Sequence, residues 1–403
     1  MPEISCRKTI LILMLAGSML LLVETLSFGF MSDDFVMVYR IREDGFFTSW
    51  GGSAGEGFFR PVSVAVFWLD NVFWGLNSVG YHFTNLLWHL FSSLMVFFVA
   101  DELFSSRLKG FLSGILFLLL ACHTESVTWV AGRTDLIAGG LGLFSVLLFL
   151  RRSSLSLVAF LLALLAKEST IIIPGVWMLM LVMRNYRDRF RWRIVFAGFA
   201  LSGAFLAFRL ISGNVAADLS SAGGSLSTGS IFQNLLRYAF RVFIPPLPDV
   251  FRSSVESHPH IIAMAFISFI SVLIYLYLKR NGPGRVMLFS GCFMISLLPV
   301  LFMAVSIMDT RSERFLYFPS AFAVLGLVEW SFSVLHRRQA SVLLLVFVLL
   351  QGGFFYLSNR NWKRAGEICR EVISGETEDV PEYYNGAYVF LNGYEEAMLL
   401  RGR

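Results

Sequence analysis

Long apolar runs, separated by short basic loops, restrict this chain to very few architectures. A helix that crosses a bilayer needs about 20 predominantly apolar residues, within a range of about 17–25. Such runs recur at 9–28, 82–100, 109–123, 135–150, 154–166, 169–183, 194–211, 260–278, 286–305, 316–335 and 340–357. They predict an all-α polytopic membrane protein with about 11 transmembrane helices. Mean hydropathy is +0.68, and 56% of the 403 residues are hydrophobic against 15% charged. A soluble domain cannot bury that much apolar surface, whereas lipid solvates it directly. The first run follows a basic stretch, lacks a convincing small-residue cleavage site and is read as a helix rather than a signal peptide.

Charge gives the threading a direction. Arg7-Lys8, Arg107/Lys109, Arg151-Arg152, the cluster 184–193, Lys279-Arg280/Arg285 and Arg337-Arg338 can all be placed on one side. Basic loops mark the cytoplasmic face. Asp33-Asp34, the stretch 123–135, Lys167-Glu168 and the stretch 309–314 then fall on the other. The interval between Arg152 and Arg184 obeys this pattern only if it holds two helices of about 15 residues, each about 22 Å long, that turn at Lys167-Glu168.

Two apolar stretches do not fit as crossings. Residues 61–76 interleave Asp70 and Asn71 with large apolar side chains and predict an interfacial helix in a first outer loop spanning 29–81. Residues 231–250 carry Arg237, Arg241 and Pro245-Pro246-Leu247-Pro248 and predict an interfacial or re-entrant element. The domain expectation is a transmembrane unit at 1–357 and an outward-facing helical tail at 358–403. The tail is similar to the end of one tetratricopeptide repeat, a unit that needs about three copies to bury its own face.

The net charge of +5 lies in inter-helix loops, so it marks topology rather than a nucleic-acid surface. Cys6, Cys122, Cys292 and Cys369 are scattered and imply no disulfide framework or thiolate metal site. No Walker loop or dinucleotide fingerprint is present, which removes nucleotide hydrolysis.

The chemistry-bearing residues gather at the non-basic face. The adjacent carboxylates Asp33 and Asp34 suit a general base, because pairing and partial desolvation raise one pKa; a bland alternative is a helix simply leaving the lipid. His123, Glu125, Arg133 and Asp135 crowd one short stretch. His123 and Glu125 could ligate a divalent metal with Asp33 or Asp135, although a lone HxE is weak and no metal site is assigned; mutual ion pairing of the stretch is the alternative. His82, Asn85 and His89 share one helical face, with His82 at its outer end. Arg311 and Arg314 depart from the charge rule and suit a phosphate clamp, against the alternative of pairing with Glu313 or Asp309. Lys167 adds positive charge nearby.

Together these residues resemble the membrane domain of the transmembrane and tetratricopeptide-repeat-containing O-mannosyltransferases, and more broadly the GT-C glycosyltransferases. The resemblance rests on Asp33-Asp34, Phe59-Arg60-Pro61, Gly80-Tyr81-His82 with Asn85, and HTESVTWVAGRTDLIA from His123. It continues through Ala166-Lys167-Glu168, the run from Ser312 through Glu313, Arg314 and Tyr317 to Ser320, and Asn361-Trp362. It implies a GT-C-type bundle that moves a sugar, mannose by analogy, from a polyprenyl-phosphate donor to an acceptor hydroxyl, protein Ser/Thr above all. Asp33 or Asp34 would take the acceptor proton. Arg60, His82, His123, Glu125, Arg133, Asp135, Lys167, Glu168, Arg311, Glu313, Arg314 and Tyr317 would shape the donor and acceptor sites. The implied setting is the inner membrane of a bacterium with a periplasmic site, or the endoplasmic reticulum with a lumenal one. A lipid or glycan acceptor, a polyprenyl-linked-sugar flippase and a scaffold using the tail are the alternatives. A transporter tends to place its charges at the bilayer midplane, which is not the pattern here.

The threading is directly testable: cysteines introduced at Ser32 and Ser312 are expected to label from the same side of the membrane, opposite to one at Arg338. Labelling of the first two from opposite sides would refute the shared face.

Overall fold

The computed structural model describes residues 23–50, 59–184, 188–211, 228–246, 271, 284–307, 309–374, 383–384 and 387–388. Within them the apolar runs become helices: α1 (Asp33–Trp50), α2 (Pro61–Trp74), α3 (Ser78–Phe104), α4 (Arg107–Leu118), the short α5 (Thr124–Thr128), α6 (Arg133–Leu150) and α7 (Leu155–Ala166). They continue as α8 (Ile173–Met183), α9 (Arg189–Ile211), α10 (Thr228–Arg241), α11 (Arg285–Leu297), α12 (Tyr317–Val334) and α13 (Arg337–Ser374). The architecture is helical as expected, with one exception in the tail. Beyond Ser374 the described tail residues pair as two-residue antiparallel strands, β1 (Tyr383–Tyr384) and β2 (Ala387–Tyr388), where helix was expected.

Among the described residues five helices (α3, α6, α9, α12 with its leading turn, and α13) are long and apolar enough to cross a bilayer; α4 and the segment Ala121–Thr128 make a sixth as a pair bent by 52°. The protein is a multi-pass membrane protein. Pro61–Trp74, Leu155–Ala166, Glu168–Met183 and Arg285–Val300 are apolar but shorter. Among the described residues the crossings are thus fewer than the about 11 expected from run length alone. Two expected runs, 9–28 and 260–278, lie almost wholly outside the described residues.

The two ends of the bundle differ chemically, as the loop charges demand. At the basic end Arg151 pairs with Glu102 at 3.5 Å, Arg152 with Asp188 at 3.1 Å, and Lys109 with Glu329 at 2.7 Å. Arg191 donates to the carbonyl of Leu150 there at 2.6 Å, satisfying the C-terminus of α6. α3 stops at Ser105, whose left-handed backbone (φ 51°) turns the chain, and Ser106 caps α4 by accepting from the Lys109 N–H at 3.5 Å.

The short helices α7 and α8 do turn where charge predicted. Lys167, at the end of α7, reaches Asp135 at the start of α6, while Trp177 in α8 stacks on Phe149 near the other end of α6, with ring centroids 5.1 Å apart. Close approach of α6 and α12 depends on Gly139, where a Cβ would lie 2.6 Å from the Tyr317 ring. The helical course of Arg285–Val300 ends just after Pro299, and the carbonyls of the irregular chain that follows need donors inside protein. α10 supplies them: Asn234 donates to Leu301 at 2.9 Å and Tyr238 to Met303 at 3.1 Å. The expected interfacial element at 231–250 is therefore, over its described part, a clamp on the chain that leads to Arg311 and Arg314.

α2 packs between α1 and α3, and Arg133 locks it in place. The guanidinium is fully buried, pairs with Asp70 of α2, donates to the Tyr81 carbonyl at 2.9 Å and lies over the Phe67 ring at 4.3 Å. Removing one member of such a pair leaves an uncompensated buried charge. Arg133→Ala is expected to lower stability by about 3–5 kcal/mol, read as a drop in thermal unfolding midpoint in detergent. Arg151→Ala, at an exposed pair, is expected to lose about 1 kcal/mol or less.

Candidate functional site

Four interruptions of the long helices meet at the end opposite the basic loops: residues 28–32, 119–132, 167–172 and, over its described part, 298–307 with 309–316. Between them lies a cleft of about 290 Å³ lined by Met31, Ser32, Asp33, Glu125, Trp129, Thr310, Arg311, Ser312, Arg314 and Trp362. Acid, base and aromatic groups from regions nearly 330 positions apart in the chain thus share one wall.

Glu125 organises the basic side. One carboxylate oxygen accepts the Arg314 backbone N–H at 2.8 Å and the other the Arg314 guanidinium. The guanidinium is sandwiched over Trp129 and Phe315, at 5.1 and 5.0 Å from the ring centroids. Arg carries five N–H donors in a planar fork; one contacts Glu125, and the side chain remains 28% exposed at the cleft. Arg311 is half exposed and held by Asp309, with Nε–Oδ2 at 2.9 Å and Nη2–Oδ2 at 2.8 Å.

The acidic pair divides into two roles. Asp33 lines the cleft, half-buried, with the Ser32 hydroxyl 3.5 Å from its Oδ1. Asp34 is wholly buried: its carboxylate accepts the Met31 N–H at 3.0 Å and the Ala131 N–H at 2.7 Å. It therefore ties the loop bearing Asp33 to the loop bearing Trp129. Burial pushes the Asp34 carboxyl up to about 7, outweighing the two backbone hydrogen bonds that favour its charged form.

Backbone strain concentrates here as well. Among the described residues four non-glycines have positive φ. Ser105 and Arg152 close helices at the basic end, whereas Ser32 (φ 53°) and Ser312 (φ 65°) both line the cleft, each beside a charged residue. Strain of this sort gathers where a site over-determines its backbone.

The other expected site residues surround this wall. Lys167 grips Asp135 with Nζ 2.7 and 2.6 Å from its two carboxylate oxygens and lies 4.9 Å from the Phe315 ring, behind Arg314. Burial pulls the Lys167 ammonium below the ordinary lysine range, against the pull of Asp135. Arg60 forms a two-pronged pair with Glu168 at 2.9 and 2.5 Å, joined by Arg209 at 3.7 Å. Glu313 is fully buried on Arg241. His123 bonds to the Ser320 hydroxyl at 2.8 Å, and Tyr317 to His89 at 2.8 Å, both in the interior. His82 is buried, with Phe28 edge-on to its ring. Arg60, His82, His123, Arg133, Asp135, Lys167, Glu168, Glu313 and Tyr317 do not line the cleft. His123 and Glu125 face different partners, and among the described residues no three His, Cys, Asp or Glu side chains are grouped to hold a metal.

In the sequence Trp362 falls in the expected helical tail, with Ala365 and Ile368, and in Asn361-Trp362, without a site role. It reaches the cleft because α13 runs beyond its apolar stretch, with Phe355, Asn359, Trp362, Ala365, Ile368 and Cys369 buried along one face at helical spacing. Asn359 accepts the Thr128 hydroxyl at 2.6 Å, and Trp362, Ala365 and Ile368 pack with Phe28 and Met31.

A helical membrane protein with a charged cleft at the end opposite its basic loops is the class that the described residues define. Curated relatives give it a chemical context. The chain is 31% identical over 134 residues to protein O-mannosyl-transferase Tmtc1 of Drosophila melanogaster, covering 30% of this chain and 16% of that protein. It is 25% identical over 336 residues to a protein O-mannosyl-transferase of Caenorhabditis elegans, covering 78% of this chain and 47% of that one. Human protein O-mannosyl-transferase TMTC1 is 31% identical over 101 residues, 23% of this chain and 12% of that protein. The matched region is less than half the length of each relative. No protein-family model matches the chain. The similarity to these transferases agrees with the resemblance read from the motifs.

The raised pKa of Asp34 has a stability consequence. A group whose folded-state pKa lies above its unfolded value of 3.8 stabilises the fold fully below about pH 4, and that contribution is lost as pH rises through about 7. Thermal unfolding midpoints of the wild type relative to Asp34→Asn are therefore expected to fall between pH 4 and 7. A difference that stays flat across that window would contradict the assignment.

Proposed function

We propose that the cleft transfers a sugar, mannose by analogy with the relatives' names, from a polyprenyl-phosphate donor to a serine or threonine hydroxyl of a protein acceptor. The observation that carries this is the convergence of Asp33, Glu125, Arg311 and Arg314 on one cavity at the end of a lipid-embedded bundle. In the reaction the acceptor oxygen attacks the anomeric carbon, its proton passes to the Asp33 carboxylate, and the anomeric carbon–phosphate oxygen bond breaks. The leaving polyprenyl phosphate gains negative charge, which the Arg314 and Arg311 guanidinium groups stabilise; this explains arginine on a face where it is otherwise disfavoured. Glu125 fixes Arg314 before substrate arrives, so little reorganisation is left for the transition state. Asp34 acts through position, holding Asp33 and Trp129 in register.

Retention of the donor in the bilayer removes any need for a nucleotide-sugar fold. The basic end faces the cytoplasm under the loop-charge rule, so the site opens to the periplasm of a bacterium, or to the lumen of the endoplasmic reticulum in a eukaryote. The charged groups that line the cleft occupy one end of the bundle, which favours transfer over a transport pathway through the midplane.

Asp33→Asn is expected to lower transfer of labelled sugar from polyprenyl-phosphate mannose to acceptor protein by about 10²–10⁴-fold, with membrane insertion and donor binding retained. Asp34→Asn is expected to cost less in rate and more in stability. Full activity of Asp33→Asn would remove the proposed base.

A further inference from the structure

We infer that Trp129 and Trp362 form the subsite that recognises the sugar of the lipid-linked donor, so that the last long helix supplies part of the donor specificity. This rests on the proposed transferase reading and adds to it the residues that read the hexose. Both indoles line the cleft, one from the 119–132 interruption and the other from α13. Trp362 is 6% exposed, and the indole N–H groups of both residues are buried without a hydrogen-bond partner. A buried donor lacking an acceptor is a standing cost to a fold, and here the two residues that carry such donors line the same cavity.

Ligand chemistry follows from that combination. An indole offers a broad apolar face together with a single N–H donor. A pyranose ring offers the complement, a C–H face ringed by hydroxyl acceptors. Arg314 packs on the Trp129 ring at 5.1 Å, so a sugar seated at that indole lies next to the guanidinium assigned to its phosphate. At about 290 Å³ the cleft is at the small end of ligand pockets, which run to about 300–1,000 Å³, and suits one glycosyl phosphate rather than a folded acceptor. A bare polyprenyl phosphate satisfies the arginines and leaves both indoles unpaired.

The test compares affinities of the full chain in lipid nanodiscs for polyprenyl-phosphate mannose and for polyprenyl phosphate without sugar. In the wild type the sugar is expected to tighten binding by about tenfold, the scale of two added hydrogen bonds. Trp362→Phe and Trp129→Phe keep a ring and remove the donor; each is expected to cut that ratio about threefold, and Trp362→Phe to leave affinity for the bare lipid unchanged. Sugar-dependent binding that each variant weakens, without transfer to any acceptor, would remove the transferase reading and leave the subsite standing. Equal wild-type affinity for the two lipids, or a ratio that neither variant alters, overturns the subsite even where transfer is observed. A variant that fails to insert is replaced by its counterpart, since either indole alone predicts the effect.

Discussion

The grip of Glu125 on Arg314 is the interaction on which the polar end of this molecule depends. It joins the 121–128 bend to the turn before α12, two interruptions of helix that lipid alone would not tolerate. With that pair in place, the guanidinium is fixed between Trp129 and Phe315 and offers its remaining edge to the cleft. Lys167 on Asp135 and Arg60 on Glu168 repeat the same device further out. Charges are thus held in nearly neutral pairs, which is how a membrane protein keeps ionic groups near hydrocarbon.

Much of the framework was legible in sequence because helix length, loop charge and helix-breaking residues act locally. The turn at Lys167-Glu168 followed from charge bookkeeping between Arg152 and Arg184, and the helices α3, α6, α9 and α12 from their apolar runs. Partner identity was not legible. Nothing in the spacing of Arg133 indicates that it lies on Asp70 of α2 rather than on Asp135, two residues away in sequence. Glu313 likewise stands beside both candidate arginines yet pairs with Arg241 of α10. Such choices are settled by helix packing over long sequence separations, where periodicity carries no information.

The acidic pair shows the same limit on a finer scale. Adjacent aspartates are interchangeable in sequence but not at the start of a helix, where successive side chains point about 100° apart. One enters the cleft and the other is swallowed by two backbone amides. Trp362 was hidden for another reason: the apolar signal of α13 fades before residue 360, while the helix itself continues to Ser374 on an amphipathic face.

That continuity has a mechanical consequence. At about 1.5 Å per residue, the 38 residues of α13 make a rod roughly 57 Å long, nearly twice the about 30 Å depth of hydrocarbon. Gln351 and Asn359 pin the shaft to the loop that carries Glu125 and Trp129, and Ala365 and Ile368 wedge its emerging portion against the segment preceding the two aspartates. Torque or tension applied to the far end of this helix is transmitted to both walls of the cleft through those contacts.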